Sequence, residues 1–145
     1  MIYISHRGNL TGSIPEFENT PTYIKIALND GFDVEVDVRL IDNKLYLGHD
    51  SSGELIDIEI LKNPHFWVHA KTIDTLYELL KYKEINCFYH NKDKCTLTSK
   101  GYIWTYPGCY ITKSSIEIAH NFPYKFDTSA YALCSDNIAS HRGSK

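Results

Sequence analysis

The stretch from Phe32 to Leu40 constrains the chain most. Successive side chains of a strand alternate, so Val34, Val36 and Val38 share one face and Glu35, Asp37 and Arg39 the other. The valines demand a covering layer. The carboxylates pose the opposite problem, because like charges on one strand face raise each other's pKa and cost stability unless solvent or a cation compensates. Solvent suits an antiparallel sheet with a free face, whereas a parallel sheet is covered on both faces. In that setting the natural compensator is a metal ion. Oxygen ligands of this kind suit Mg²⁺ or Ca²⁺, while zinc prefers His and Cys. Glu18 is the expected third oxygen.

The flanking pattern embeds this strand in an α/β fold. Ile2 to Ser5 is a short run of strand formers that ends at His6-Arg7-Gly8, where Gly8-Asn9 signals a turn. Thr20 as N-cap, Pro21 at the first helical position, apolar Ile24, Ala27 and Leu28, and a closing Gly31 predict a helix. Asp42-Asn43 turns the chain into a hairpin partner, Leu45 to Leu47, which delivers Gly48-His49-Asp50. Phe66 to Ala70 reads as a buried strand, Ile73 to Lys83 as a helix and Asn86 to Tyr89 as a strand. Gly101 to Tyr106 and Tyr131 to Cys134 read as further short strands, and Ser114 to His120 as a short helix. Such alternation implies a parallel sheet with crossovers, either a barrel or an open sheet. No repeat or linker divides the sequence, so residues 1–145 are expected to form one domain. His120 and His141 are expected at the surface, and the polar tail from 141 to 143 to fray.

Composition narrows the functional classes. Fifteen Lys and Arg against 18 Asp and Glu give a formal net charge of −3, and 43% of the chain is hydrophobic. A disordered chain and a polyanion-wrapping nucleic-acid binder are thereby excluded. No apolar run approaches the ~18 residues of a membrane span, and the N-terminal residues are too polar for a signal peptide. The expectation is a cytoplasmic protein without a transmembrane segment. Cys87, Cys95, Cys109 and Cys134 lack CxxC spacing and read as reduced thiols. Nothing in the sequence fixes an oligomeric state.

Active sites on parallel α/β sheets lie beyond the C-terminal ends of the strands. Four successive segments here finish in titratable residues: His6 and Arg7, Glu35 and Asp37, His49 and Asp50, His69 and Lys71. Lys71 could meet a phosphate as a point charge, His90 could face the same site, and Trp104 could offer a flat wall to a glycerol or sugar moiety. The plainer readings are a solvated lysine, a surface histidine and a core ring.

In order and spacing, His6-Arg7-Gly8, Phe17-Glu18-Asn19-Thr20, Glu35-x-Asp37-Val38 and Gly48-His49-Asp50 resemble the glycerophosphodiester phosphodiesterase family over about the first 50 residues. Ala70-Lys71 and Cys134-Ser135-Asp136 are weaker echoes of its later strands. The resemblance implies a TIM-type (β/α) barrel, small or incomplete, since the full barrel needs ~200 residues or more. It further implies that Glu18, Glu35 and Asp37 bind a divalent cation, that His6 and His49 act as general acid and base, and that Arg7 contacts the phosphate of a small phosphodiester. Two departures stand out. His69 occupies the position of a further carboxylate two residues before the lysine, so it is a candidate nitrogen ligand, and Phe17 replaces the proline before Glu-Asn-Thr. Besides a hydrolase, a catalytically silent phosphate-ligand-binding protein and a phospholipase-type lyase releasing a cyclic phosphate fit the same residues.

Overall fold

The computed structural model describes residues 1–143. Nine strands and four short helices follow one another as β1 (Ile2–His6), α1 (Pro21–Asn29), β2 (Asp33–Ile41), β3 (Lys44–Leu47), α2 (Ile58–Leu61), β4 (Phe66–Ala70) and α3 (Ile73–Leu79). The second half runs β5 (Cys87–Phe88), β6 (Cys95–Leu97), β7 (Ile103–Thr105), β8 (Ser115–Ala119), β9 (Ala132–Ser135) and α4 (Ile138–Gly143).

The strands form one sheet in the order β5-β4-β2-β1-β9-β8-β7-β6, with β3 as an antiparallel branch on β2. The first strand therefore lies parallel between β2 and the last strand, β9, which rolls the sheet into a nearly closed barrel. Only β6 runs antiparallel along the main path. Among the described residues no ladder joins β5 to β6; instead Ser99 N donates to Cys87 O at 2.8 Å, Thr96 Oγ1 donates to Tyr89 O at 2.8 Å, and Phe88 stacks on Trp104 with ring centres 4.5 Å apart.

Alternation on each strand sorts side chains between interior and exterior. Val34, Val36, Val38, Phe66 and Val68 face outward, where Ile24 and Ala27 of α1 and Leu79 of α3 cover them. Thr20 and Thr72 cap these helices by accepting from Tyr23 N and Thr75 N. Inside, Ile4, Trp67, Phe88, Trp104, Ile116 and Cys134 fill the barrel core. All four cysteines are free thiols.

Two expectations are overturned. Ser114 to His120 is strand β8 rather than a helix, because Ile116 and Ile118 enter the interior core while its backbone pairs with β7 on one side and β9 on the other. The tail is not frayed either. Through Gly143 it forms α4, burying Ile138 and His141, with the Arg142 guanidinium 3.7 Å from the Phe32 ring centre. No helix among the described residues separates β5 from β9, and none is long and apolar enough to cross a membrane.

Candidate active site

Register puts the inward groups of the strand ends side by side. His6 pairs with Glu35 across β1 and β2, and Asp37 with His69 across β2 and β4. Glu35 and Asp37 are 1% and 0% exposed, so solvent does not relieve their repulsion. Glu35 lines a cavity of about 350 Å³ together with His6, Arg7, His49, His69 and Lys71, and Asp37 contacts that lining through Arg7, His69 and Lys71.

Asp37 is the electrostatic centre. Its Oδ2 lies 2.9 Å from Arg7 Nε, and its Oδ1 lies 3.2 Å from His69 Nδ1 and 3.3 Å from Lys71 Nζ. Asn19 clamps the same residue, donating to Oδ2 and accepting from its backbone N–H, both at 2.9 Å. Burial alone would raise its pKa, but His69, Arg7 and Lys71 overcome that and hold the carboxyl well below the usual range. Arg7 and Asn19 both adopt left-handed backbone, with φ of 56° and 57°, and Asn19 N donates to Arg7 O at 3.0 Å. Two hydrogen-bonded non-glycine residues in that region, at either end of the segment from Arg7 to Asn19, mark a loop whose conformation is set by the site it serves.

His6 is held from behind. Its Nδ1 lies 2.7 Å from Asp136 Oδ1, which leaves Nε2 toward Glu35 at 3.7 Å. Burial would depress this imidazole, yet the Asp136 hydrogen bond and the nearby Glu35 charge outweigh it and raise the pKa. Asp136 is lowered in turn, its burial being outweighed by His6 and Asn9. Asn9 is fully buried and bridges Asp136 at 2.7 Å to Glu18 at 2.9 Å.

Glu18 stands apart from the place expected for it. Its carboxylate accepts from Arg7 Nη1 at 3.1 Å as well as from Asn9 and Ser13, so Arg7 separates it from Asp37. The group whose ligand atoms lie within 4.8 Å of one another is Glu35, Asp37 and His69. Glu35 Oε2, Asp37 Oδ1 and His69 Nε2 are buried without a hydrogen-bond partner among the described residues, although Asp37 Oδ1 has its ion-pair neighbours. Unsatisfied buried polar atoms are costly, and a coordinated cation is one way to satisfy them. Glu18, Glu35, Asp37 and Asp136 face Arg7 and Lys71 as fixed cations, and these carboxylates raise the pKa of His6 and His69 against the burial that would lower it. The donor set therefore fits a divalent ion, with one nitrogen among oxygens.

The remaining candidates divide. His49 reaches the cavity from the loop after β3, its Nδ1 2.7 Å from Asp50 Oδ1, while the Asp50 side chain is itself 94% exposed. That loop hangs on Arg39, whose Nε donates to Gly48 O at 3.2 Å and whose Nη2 donates to His49 O. Lys71 lines the cavity paired with Asp37 rather than solvated. Trp104 is 3% exposed and stacked on Phe88, so it is a core ring forming the cavity floor rather than a free-standing wall. His90 lines the cavity, stacked on His69 with centres 4.5 Å apart, its Nε2 2.6 Å from the Tyr106 hydroxyl. Burial, with His69 and Lys71 nearby, pulls its pKa down to about 4. His120 is exposed but borders the cavity, and His141 is buried beside Phe122 and Phe126, contrary to its expected surface position.

Sequence reasoning missed Asp136, Asn9, Asn19 and Tyr106 as site residues. Asp136 had a signal, since it directly follows a strand as Arg7 and Lys71 do. Asn9 and Asn19 sit in a loop whose fold depends on partners far along the chain. No family model matches the chain, and no curated protein or solved structure shows significant similarity to it.

Proposed function

We propose that the protein is a divalent-cation-dependent phosphodiesterase built on a reduced TIM-type barrel, acting on a small phosphodiester. The observation that carries this reading is the convergence of His6, Arg7, Glu35, His69 and Lys71 on one cavity, with Asp37 in ion-pair reach of Arg7, His69 and Lys71, on the parallel strands β1, β2 and β4 and the residues that follow β1 and β4. Glu35, Asp37 and His69 would hold the cation, which when bound neutralises nonbridging phosphate oxygens. Lys71 and Arg7 add fixed positive charge on the same side.

His6 is the general acid in this mechanism. Its raised pKa keeps a proton on the ring near neutrality, and Asp136 on Nδ1 leaves Nε2 to protonate the leaving alkoxide. His49, in the lining of the same cavity, is the base that takes the proton of the attacking water or hydroxyl. An internal hydroxyl as nucleophile would give the cyclic phosphate of a lyase through the same groups. A second reading, a phosphate-binding protein without turnover, draws on the three cationic partners Asp37 already has. Hydrolysis of bis(p-nitrophenyl) phosphate with and without Mg²⁺, Ca²⁺ or Mn²⁺ separates them. Metal-stimulated turnover lost in His6→Ala and His49→Ala supports the enzyme, and none with any ion leaves the binding protein. General acid–base catalysis sets the expected loss at about 10² to 10⁴.

A further inference from the structure

The inner cavity opens onto a second groove of about 430 Å³, and His90, Tyr106 and His120 line both. Beyond these rings the groove is bordered by Asn91, Asp93 and Lys94, and Pro107 is the only residue in its lining without a polar side chain. The rings are already ordered. His90 lies flat against His69, Tyr106 stands edge-on to His90 with centres 5.0 Å apart, and Tyr106 and His120 lie 5.8 Å apart at 31°. The Tyr106–His90 hydrogen bond fixes that wall.

We propose that this groove is a base subsite, so that one alcohol of the phosphodiester is a nucleoside whose planar heterocycle packs against Tyr106 and His120. The proposal rests on the phosphodiester reading of the inner cavity and adds the class of its leaving group. Three features of the groove match three of the ligand. Ring faces at its junction with the inner cavity offer stacking to a π-system. The Asn91 amide and the Asp93 carboxylate offer a donor and acceptors to ring nitrogens and exocyclic groups. Lys92 and Lys94 favour an anion and oppose a quaternary ammonium alcohol, which would otherwise suit an aromatic pocket. An acyl chain would meet the charged ends of Lys92, Asp93 and Lys94, and a bare glycerol would leave the rings unused.

The test is equilibrium binding of adenosine 5′-monophosphate, uridine 5′-monophosphate and ribose 5-phosphate to the full chain by calorimetry in Mg²⁺ buffer. At least one nucleotide should bind tenfold or more tighter than ribose 5-phosphate, about 1.4 kcal/mol. His120→Ala, at an exposed position, should remove most of that advantage and leave ribose 5-phosphate binding unchanged. Bound nucleotide should also move the His120 ring protons upfield, these being identified by their loss in the variant. Equal affinity for all three ligands overturns the base subsite while leaving the inner phosphate site standing. A nucleotide advantage that survives His120→Ala overturns the placement of the base. Absence of binding by every ligand overturns both the subsite and the phosphate reading on which it rests.

Discussion

The His6–Asp136 contact ties the two ends of the described chain to one proton. His6 has a raised pKa and Asp136 a lowered one, burial opposing both shifts and the mutual hydrogen bond prevailing. The stability each contributes has its own pH window. For His6 it is complete below the unfolded value of 6.5 and lost as pH rises through the higher folded value. For Asp136 it is complete above the unfolded value of 3.8 and lost as pH falls through the lower folded value. Between 3.8 and 6.5 both contributions are present, so the pair should stabilise the fold most in mildly acidic solution. Asp136→Asn removes the charge and leaves burial to act on the imidazole. The His6 pKa should then fall, as read by NMR titration of its ring protons, and turnover at neutral pH should drop about 10²-fold as the acid loses its proton. An unchanged His6 titration would remove Asp136 from the mechanism. Glu35 and Asp37 were legible from alternation alone, because a strand's period is local. Their partners were not, since Lys71 and Asn19 reach Asp37 through a sheet register no short window of sequence specifies.

Elements were legible in proportion to how local their determinants are. Helix α1, with Thr20, Pro21 and Gly31 as its punctuation, and the β2–β3 hairpin, with its Asp42-Asn43 turn, follow from residues in direct succession. Strand β8 does not. Ser-Ile-Glu-Ile-Ala is short and contains no breaker, and what settles it is a ladder on each edge together with capture of outward Glu117 by Tyr124 Oη at 2.8 Å and Asp127 N at 2.7 Å. Helix α4 is likewise fixed from outside, Arg142 Nη1 donating to Asp30 O at 2.9 Å. The loop after β3 yields the sharpest prediction at this level. Gly48 has φ of 143°, and a Cβ there would lie 1.9 Å from Ser51 O. Gly48→Ala must therefore move the loop that carries His49, costing about 1–3 kcal/mol and lowering the melting temperature by at least ~2 °C. Turnover should fall further than that loss of stability accounts for, because His49 is displaced. Gly101→Ala is the control, since φ there is 84° but no atom lies within 4 Å of the added carbon. Equal melting temperatures and activities for the two variants would mean that the His49 loop is not held by this turn.

For the molecule as a whole, the mouth of the barrel couples folding to ion binding. The sheet gathers one carboxylate pair and an imidazole that lie far apart in sequence, so the ligand set exists only in the native state. An ion that binds only that state stabilises it by RT ln(1 + [L]/Kd), about 2.7 kcal/mol at one hundred times Kd. Saturating Mg²⁺, Ca²⁺ or Mn²⁺ should thus raise the melting temperature of the parent by several degrees. Glu35→Gln keeps the shape of the side chain and removes its charge, so that increment should vanish. Without the ion the variant should melt no lower than the parent, because Glu35 is a buried carboxylate beside Asp37 and losing it relieves repulsion. His69→Ala should weaken the response to Mn²⁺ more than to Ca²⁺, since nitrogen ligation matters more to the transition metal. Glu18→Gln should leave the increment largely intact, because Glu18 binds Arg7 and Asn9 rather than joining the converging group. These outcomes distinguish two arrangements of one mouth. A response lost with Glu18 but kept with His69→Ala would mean that the loop from Arg7 to Thr20 swings to bring a third oxygen to the ion. The opposite result would identify β4 as the strand that completes the site.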